Sequence, residues 1–61
     1  MFTVSVQLRT GIKAEHATGP RRALAYMTEF RELYGVEPVA SDGARTYTEA
    51  ELQQLIDTSG G

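Results

Sequence analysis

Apolar and polar residues alternate without a break from Phe2 to Arg9. Phe2, Val4, Val6 and Leu8 fall on one side, and Thr3, Ser5, Gln7 and Arg9 on the other. A period of two is the signature of a strand buried on one face. Thr10-Gly11 then reads as a turn, and Ile12-Lys13-Ala14-Glu15-His16-Ala17 as a weak return strand closing a short hairpin, or else as a loop. The period changes after Thr18-Gly19-Pro20. Proline suits the first helical position because its missing N–H has no helical partner there, and Thr18 or Gly19 can serve as the cap. Ala23, Leu24, Met27, Phe30, Leu33 and Tyr34 follow at helical spacing until Gly35, a residue suited to a left-handed C-cap. This helix is expected to cover the strand's apolar face.

The pattern weakens from Val36 to Tyr47. Val36–Ser41 and Ala44–Tyr47 flank Asp42-Gly43, a dipeptide that favours a two-residue hairpin turn. Pro38 would confine the first of these strands to a sheet edge. An irregular loop with one turn is the alternative. The signal sharpens again at Thr48-Glu49-Ala50-Glu51. There the Thr48 hydroxyl can accept the Glu51 N–H while the Glu51 carboxylate reaches back to the Thr48 N–H, with Tyr47 and Leu52 placed as a hydrophobic staple. A second helix is predicted from this box through Leu52, Leu55 and Ile56.

These elements predict an α+β fold: a small single-layer sheet, made of the N-terminal strand and two candidate hairpins, packed against two helices in the order β(β)α(ββ)α. Residues 1–58 would form one small domain and residues 59–61 a flexible tail. The expected core is Phe2, Val4, Val6, Leu8, Ile12, Leu24, Met27, Phe30, Leu33, Tyr34, Val36, Val39, Tyr47, Leu52, Leu55 and Ile56.

Size changes the picture next. A chain of 61 residues buries only about 60% of its unfolded surface, so its margin over conformational entropy is thin. Without cysteine no disulfide or thiolate site can widen that margin, and a lone His16 cannot build a metal site. No metal and no cofactor are expected, and a homodimer sharing an apolar face is. The opening Met1–Gln7 has no basic leader, and no stretch approaches the roughly 20 apolar residues of a membrane span. A cytoplasmic protein without a membrane segment is the expectation.

Charge is distributed unevenly. Residues 1–25 hold Arg9, Lys13, Arg21 and Arg22 against Glu15, a balance of +3; residues 26–61 hold Arg31 and Arg45 against Glu29, Glu32, Glu37, Asp42, Glu49, Glu51 and Asp57, a balance of −5. Ordinary solvation explains such a division, but Arg21 and Arg22 fall in a first helical turn, where the dipole disfavours positive charge. Either a neighbouring acidic group, such as Glu15 or one from a second subunit, offsets this, or the helix end and the two guanidinium groups hold an anion. Arg9, Lys13, Arg21 and Arg22 are therefore the candidate anion or nucleic-acid contacts.

Thr3, Ser5, Gln7 and Arg9 are also side chains able to read base edges from a β-ribbon in a major groove. In its order of strand, helix and helix, the chain faintly resembles the ribbon-helix-helix DNA-binding regulators, which implies a dimer pairing through the N-terminal strand. It departs from that family in the Gly11–Gly19 insertion, the long Val36–Tyr47 connection and its acidic net charge. The closing Gly60-Gly61 is similar to the diglycine of ubiquitin-like carriers, whose fold also begins with a hairpin and a helix. Here it follows helix Glu49–Asp57 where that family has an apolar strand, and it reads as a frayed end.

Catalysis has little support: Ser5, Ser41 and Ser59 lack a nucleophile's setting, His16 has only Glu15 beside it, and Gly11 and Gly19 are too far apart for a phosphate loop. The chain is read as a non-catalytic protein-interaction or regulatory module, self-associating and using the first helix or an exposed strand edge, for which the N-terminal strand is expected to offer the unpaired backbone groups. Thr3, Ser5, Gln7, Tyr26, Arg31 and Tyr34 are the candidate interface residues. The alternative is a nucleic-acid-binding regulator.

Overall fold

The computed structural model describes residues 1–58, so Ser59 and the Gly60-Gly61 tail lie outside the described residues. Four strands and two helices follow one another as β1 (Phe2–Leu8), β2 (Gly11–Ala17), α1 (Pro20–Tyr34), β3 (Val39–Ser41), β4 (Thr46–Tyr47) and α2 (Glu49–Thr58). The strands form one antiparallel sheet in the order β2-β1-β3-β4. Both helices pack on the same face of it, α1 against β1, β2 and β3, and α2 against β3 and β4. This is the α+β arrangement expected from the periodicities, with both hairpins formed.

The first hairpin pairs every residue of β1 with one of β2, from Phe2 opposite Ala17 to Leu8 opposite Gly11. Its loop is therefore Arg9-Thr10, one residue earlier than expected. Two-residue loops normally need positive φ to match the strands' twist, and no non-glycine residue here has it. Gly11, at φ 138°, takes the conformation that its neighbours avoid.

The second hairpin departs further from expectation. Ala40 pairs with Tyr47 and Ser41 with Thr46, leaving Asp42–Arg45 as a four-residue loop in place of a two-residue turn. The Asp42 side chain explains the longer loop. Its Oδ1 accepts the N–H groups of Ala44 (2.9 Å) and Arg45 (3.0 Å), while its own N–H donates to the Arg45 carbonyl. Pro38 does not confine β3 to an edge. It sits buried just before the strand, and β3 is flanked on both sides, by β1 and β4.

Helix ends form as the sequence directs. Gly19 is the N-cap of α1 with Pro20 at the first position, and Gly35 closes it at φ 68°, donating to the Arg31 carbonyl. At α2 the reciprocal box is in place: Thr48 N–H donates to Glu51 Oε1 (2.9 Å) and Glu51 N–H to Thr48 Oγ1 (3.2 Å). Tyr47 and Leu52, the staple pair, are both buried.

The core comprises Phe2, Val4, Val6, Ala17, Ala23, Met27, Phe30, Ala40, Tyr47 and Leu52, with Leu8, Leu24 and Tyr26 packed partly against it and Ile56 buried beside them. Six expected members lie substantially exposed: Ile12, Leu33, Tyr34, Val36, Val39 and Leu55. Strand parity accounts for two of them. Ile12 stands opposite Gln7 and Val39 opposite Ser5, on the face away from the helices. Leu33 lies roughly 90° around α1 from the buried stripe Ala23-Met27-Phe30, given about 100° per residue. Tyr34 lies on that stripe but in the helix's final turn, where it meets the Phe30 ring edge to face, 5.8 Å away. Val36 falls in the connection after the helix, and Leu55 on the flank of α2 beside the buried Leu52 and Ile56.

Candidate functional site

The antiparallel ladder decides which chain edges remain available. Because Leu8 and Gly11 flank a two-residue loop, they exchange hydrogen bonds, and pairs on alternate rungs do the same up to Phe2 and Ala17. The backbone groups of Gly11, Lys13, Glu15 and Ala17 therefore point at β1. Those of Ile12, Ala14 and His16 point outward at the free edge of the sheet. All of β2 except Ala17 is exposed, over seven residues without proline. The opposite edge, β4, has two residues.

The N-terminal strand itself is not that edge. β1 is paired by β2 along its whole length and by β3 over Thr3–Ser5. This corrects the expectation that β1 would offer the unpaired backbone, and it removes the strand-to-strand dimer implied by the ribbon-helix-helix resemblance. Thr3, Ser5 and Gln7 instead lie on the sheet face that carries no helix, with Ile12, Ala14 and His16 beside them on β2 and Val39 and Ser41 beyond on β3. On that face Thr3 Oγ1 lies 3.2 Å from His16 Nδ1. His16's neighbours there, Ala14 along the strand and Thr3 across it, offer no carboxylate to orient the ring as a general base.

Lys13 and Glu15 occupy the other face of β2, opposite Val6 and Val4. They stand at the margin of the helix-covered side, both exposed and with no ion-pair partner among the described residues. Two opposite charges two residues apart on an unpaired edge are the main electrostatic feature of this surface.

The four basic candidates do not converge. Arg9 is at the hairpin tip, Lys13 on β2, and Arg21 and Arg22 beyond the strand's far end, so roughly 20 Å of strand separates the first from the last pair. The first-turn position of Arg21 has a local explanation. The helices run antiparallel, since Arg31 Nε meets Glu49 Oε1 at 2.9 Å at one end and Arg21 shares a groove with Gln53 and Ile56 at the other. Arg21 is thus set beside the C-terminal half of α2, a helix whose last turn has no basic residue of its own. Glu15 makes no ion pair with either arginine.

Tyr26 is half-buried with its ring 6.4 Å from Phe30, Tyr34 is half-exposed at the end of the same aromatic row, and Arg31 is engaged with Glu49. The groove spanned by that ion pair, about 520 Å³, is lined by Leu24, Thr28, Glu37, Ala50 and Gln53 and holds no nucleophile paired with a base. Strand alternation by itself puts Lys13 and Glu15 on one face of β2, but the edge role of Ala14 was not legible in the sequence: it depends on the loop being Arg9-Thr10, and the expected Thr10-Gly11 loop would have turned the backbone of Lys13 and Glu15 outward instead.

No described helix is long and apolar enough to cross a membrane, and no cluster of three or more His, Asp or Glu among the described residues is arranged to hold a metal. Comparison of the chain with protein-family models, curated proteins and solved structures finds no match.

Proposed function

We propose that this chain is a protein-interaction module that docks a partner by strand addition to the free edge of β2. The observation that carries the reading is the seven-residue edge strand, exposed at every position but Ala17, regular, free of proline and unbroken by a bulge. Such an edge is a template for another strand, and proteins that do not use one shorten it, kink it or cover it. This chain treats its other edge that way. Dispersal of Arg9, Lys13, Arg21 and Arg22, together with a net charge of −2, favours a protein partner over the phosphate backbone of a nucleic acid.

Replacing Ala14 by proline removes the central outward N–H of β2, a change that an edge strand tolerates on its open side. Wild type and Ala14→Pro, each tagged and passed with and without nuclease through cell extract to which the untagged chain has been added, should differ in the proteins they retain. Identical retention overturns the edge reading. Retention that depends on nucleic acid and collapses as salt rises supports the nucleic-acid regulator in its place.

A further inference from the structure

We infer that the strand received by β2 is β2 of a second copy of this chain, paired antiparallel with Ala14 opposite Ala14. The inference rests on the reading of β2 as a docking edge and adds the partner and the register. Strand polarity limits the choices. Only the backbone groups of Ile12, Ala14 and His16 face outward, so a symmetric pairing must set these residues against one another. Three registers with substantial overlap meet that condition. One centred on Lys13 places lysine against lysine, and one centred on Glu15 places glutamate against glutamate. The register centred on Ala14 overlaps all seven residues of β2 and places each Lys13 directly opposite Glu15 of the second copy.

Charge complementarity thus selects one register of the three. Lys13 and Glu15 would meet on rungs that exchange no hydrogen bonds, where the side chains approach most closely. On the other face, Ala14 would meet Ala14 and Ile12 would meet His16. A lysine on an edge strand ordinarily blocks association. Here the glutamate two residues on turns that block into a match for this pairing alone, and neither charge has an ion-pair partner within its own chain among the described residues. The product is a continuous eight-stranded sheet with all four helices on one face.

Sedimentation equilibrium of the purified chain across a concentration series tests the inference. Wild type should be a reversible dimer. Lys13→Glu and Glu15→Lys should each weaken dimerisation about tenfold, since two attractive pairs become two repulsive ones. An equimolar mixture of the two variants should recover it as a heterodimer, because one copy then presents glutamate at both positions and the other lysine at both, so that every facing pair is again of opposite charge. Circular dichroism of each variant should match wild type, as both sites are exposed. A wild type that stays monomeric at high concentration overturns the inference, and so does a dimer indifferent to both charge reversals or a mixture that fails to recover. A monomeric wild type leaves the docking-edge reading to the Ala14→Pro comparison, which measures it separately.

Discussion

The two hairpins of this fold solve the same problem in opposite ways. β1–β2 has a long ladder, a minimal loop and an outer strand exposed on nearly all its length. β3–β4 has two paired rungs, a loop tied down by Asp42 and an outer strand whose Tyr47 is buried against Phe2, ring to ring at 6.1 Å. The second hairpin is short because its stability comes from packing and local hydrogen bonds; the first is long because backbone pairing is most of what holds β2. A strand held mainly by its backbone on one side keeps the other side available for the same interaction. The proposed docking by strand addition rests on this asymmetry between the two edges.

Core truncation should divide the two regions most sharply. Leu52 is fully buried where α2 closes over β3 and β4, whereas Ile12 on β2 is 70% exposed. Leu52→Ala should cost about 2–5 kcal/mol, from lost transfer energy and the cavity left behind. For a chain of this length total stability is about 3–9 kcal/mol, so that variant should lose a large share of it and unfold at a much lower urea concentration. Ile12→Ala should shift the stability of the monomer by less than about 0.5 kcal/mol. Urea denaturation at a concentration low enough to exclude association measures both. Equal losses at the two sites would mean that β2 is packed as β3–β4 is, and the contrast would fail.

A smaller break lies at the entrance to α2. Thr48→Ala removes the acceptor for the Glu51 N–H, 3.2 Å away, and leaves the bond that the backbone N–H of position 48 donates to Glu51 Oε1 without its reciprocal partner. The expected loss is about 1 kcal/mol, read as a lower urea midpoint with unchanged slope. Protection from hydrogen exchange should fall in α2 and β4 before it falls in β1, because α2 covers only the second hairpin's side of the sheet.

Much of this was legible in the chain. The strict alternation of Phe2–Leu8, the Pro20 and Gly35 boundaries and the Thr48–Glu51 box each name one conformation for a local physical reason, and each element formed where expected. What the sequence concealed was long-range. The neighbour of β1 on its second side is β3, a strand of three residues whose signal, Val39-Ala40-Ser41, is too short to show a period. Its inward residue is Ala40, so the larger Val39, which reads as core by its chemistry, points outward. The candidate site is hidden for the same reason. The clear alternation of β1 draws the eye to it, but a strand with clear alternation and neighbours on both sides is the centre of a sheet. β2, with mixed chemistry on both faces and no apolar stripe, has the composition of an edge.

The last and smallest expected effect concerns the acid side of the second hairpin. The N–H groups of Arg45 and Ala44, and then the Tyr47 hydroxyl at 3.2 Å, hold the Asp42 carboxyl below its ordinary value of 3.8. A carboxyl whose folded pKa lies below its unfolded pKa binds fewer protons in the native state. Its contribution to stability is therefore fully present above the unfolded value, near pH 4, and is lost as pH falls through the depressed folded value. Burial, followed by the same Asp42 hydrogen bond, raises the Tyr47 hydroxyl, so it remains a donor at neutral pH. Asp42→Asn keeps an oxygen that can accept both loop N–H groups but removes the charge. Thermal melts of this variant should start slightly below wild type at pH 7, and its melting temperature should fall less between pH 5 and pH 2, so that the two converge in acid. Because Asp42 is exposed, the difference should shrink as salt is added. A variant whose acid limb parallels that of wild type would show that this carboxylate stabilises the hairpin through its shape as an acceptor and not through its charge, leaving the contrast between the two hairpins to packing alone.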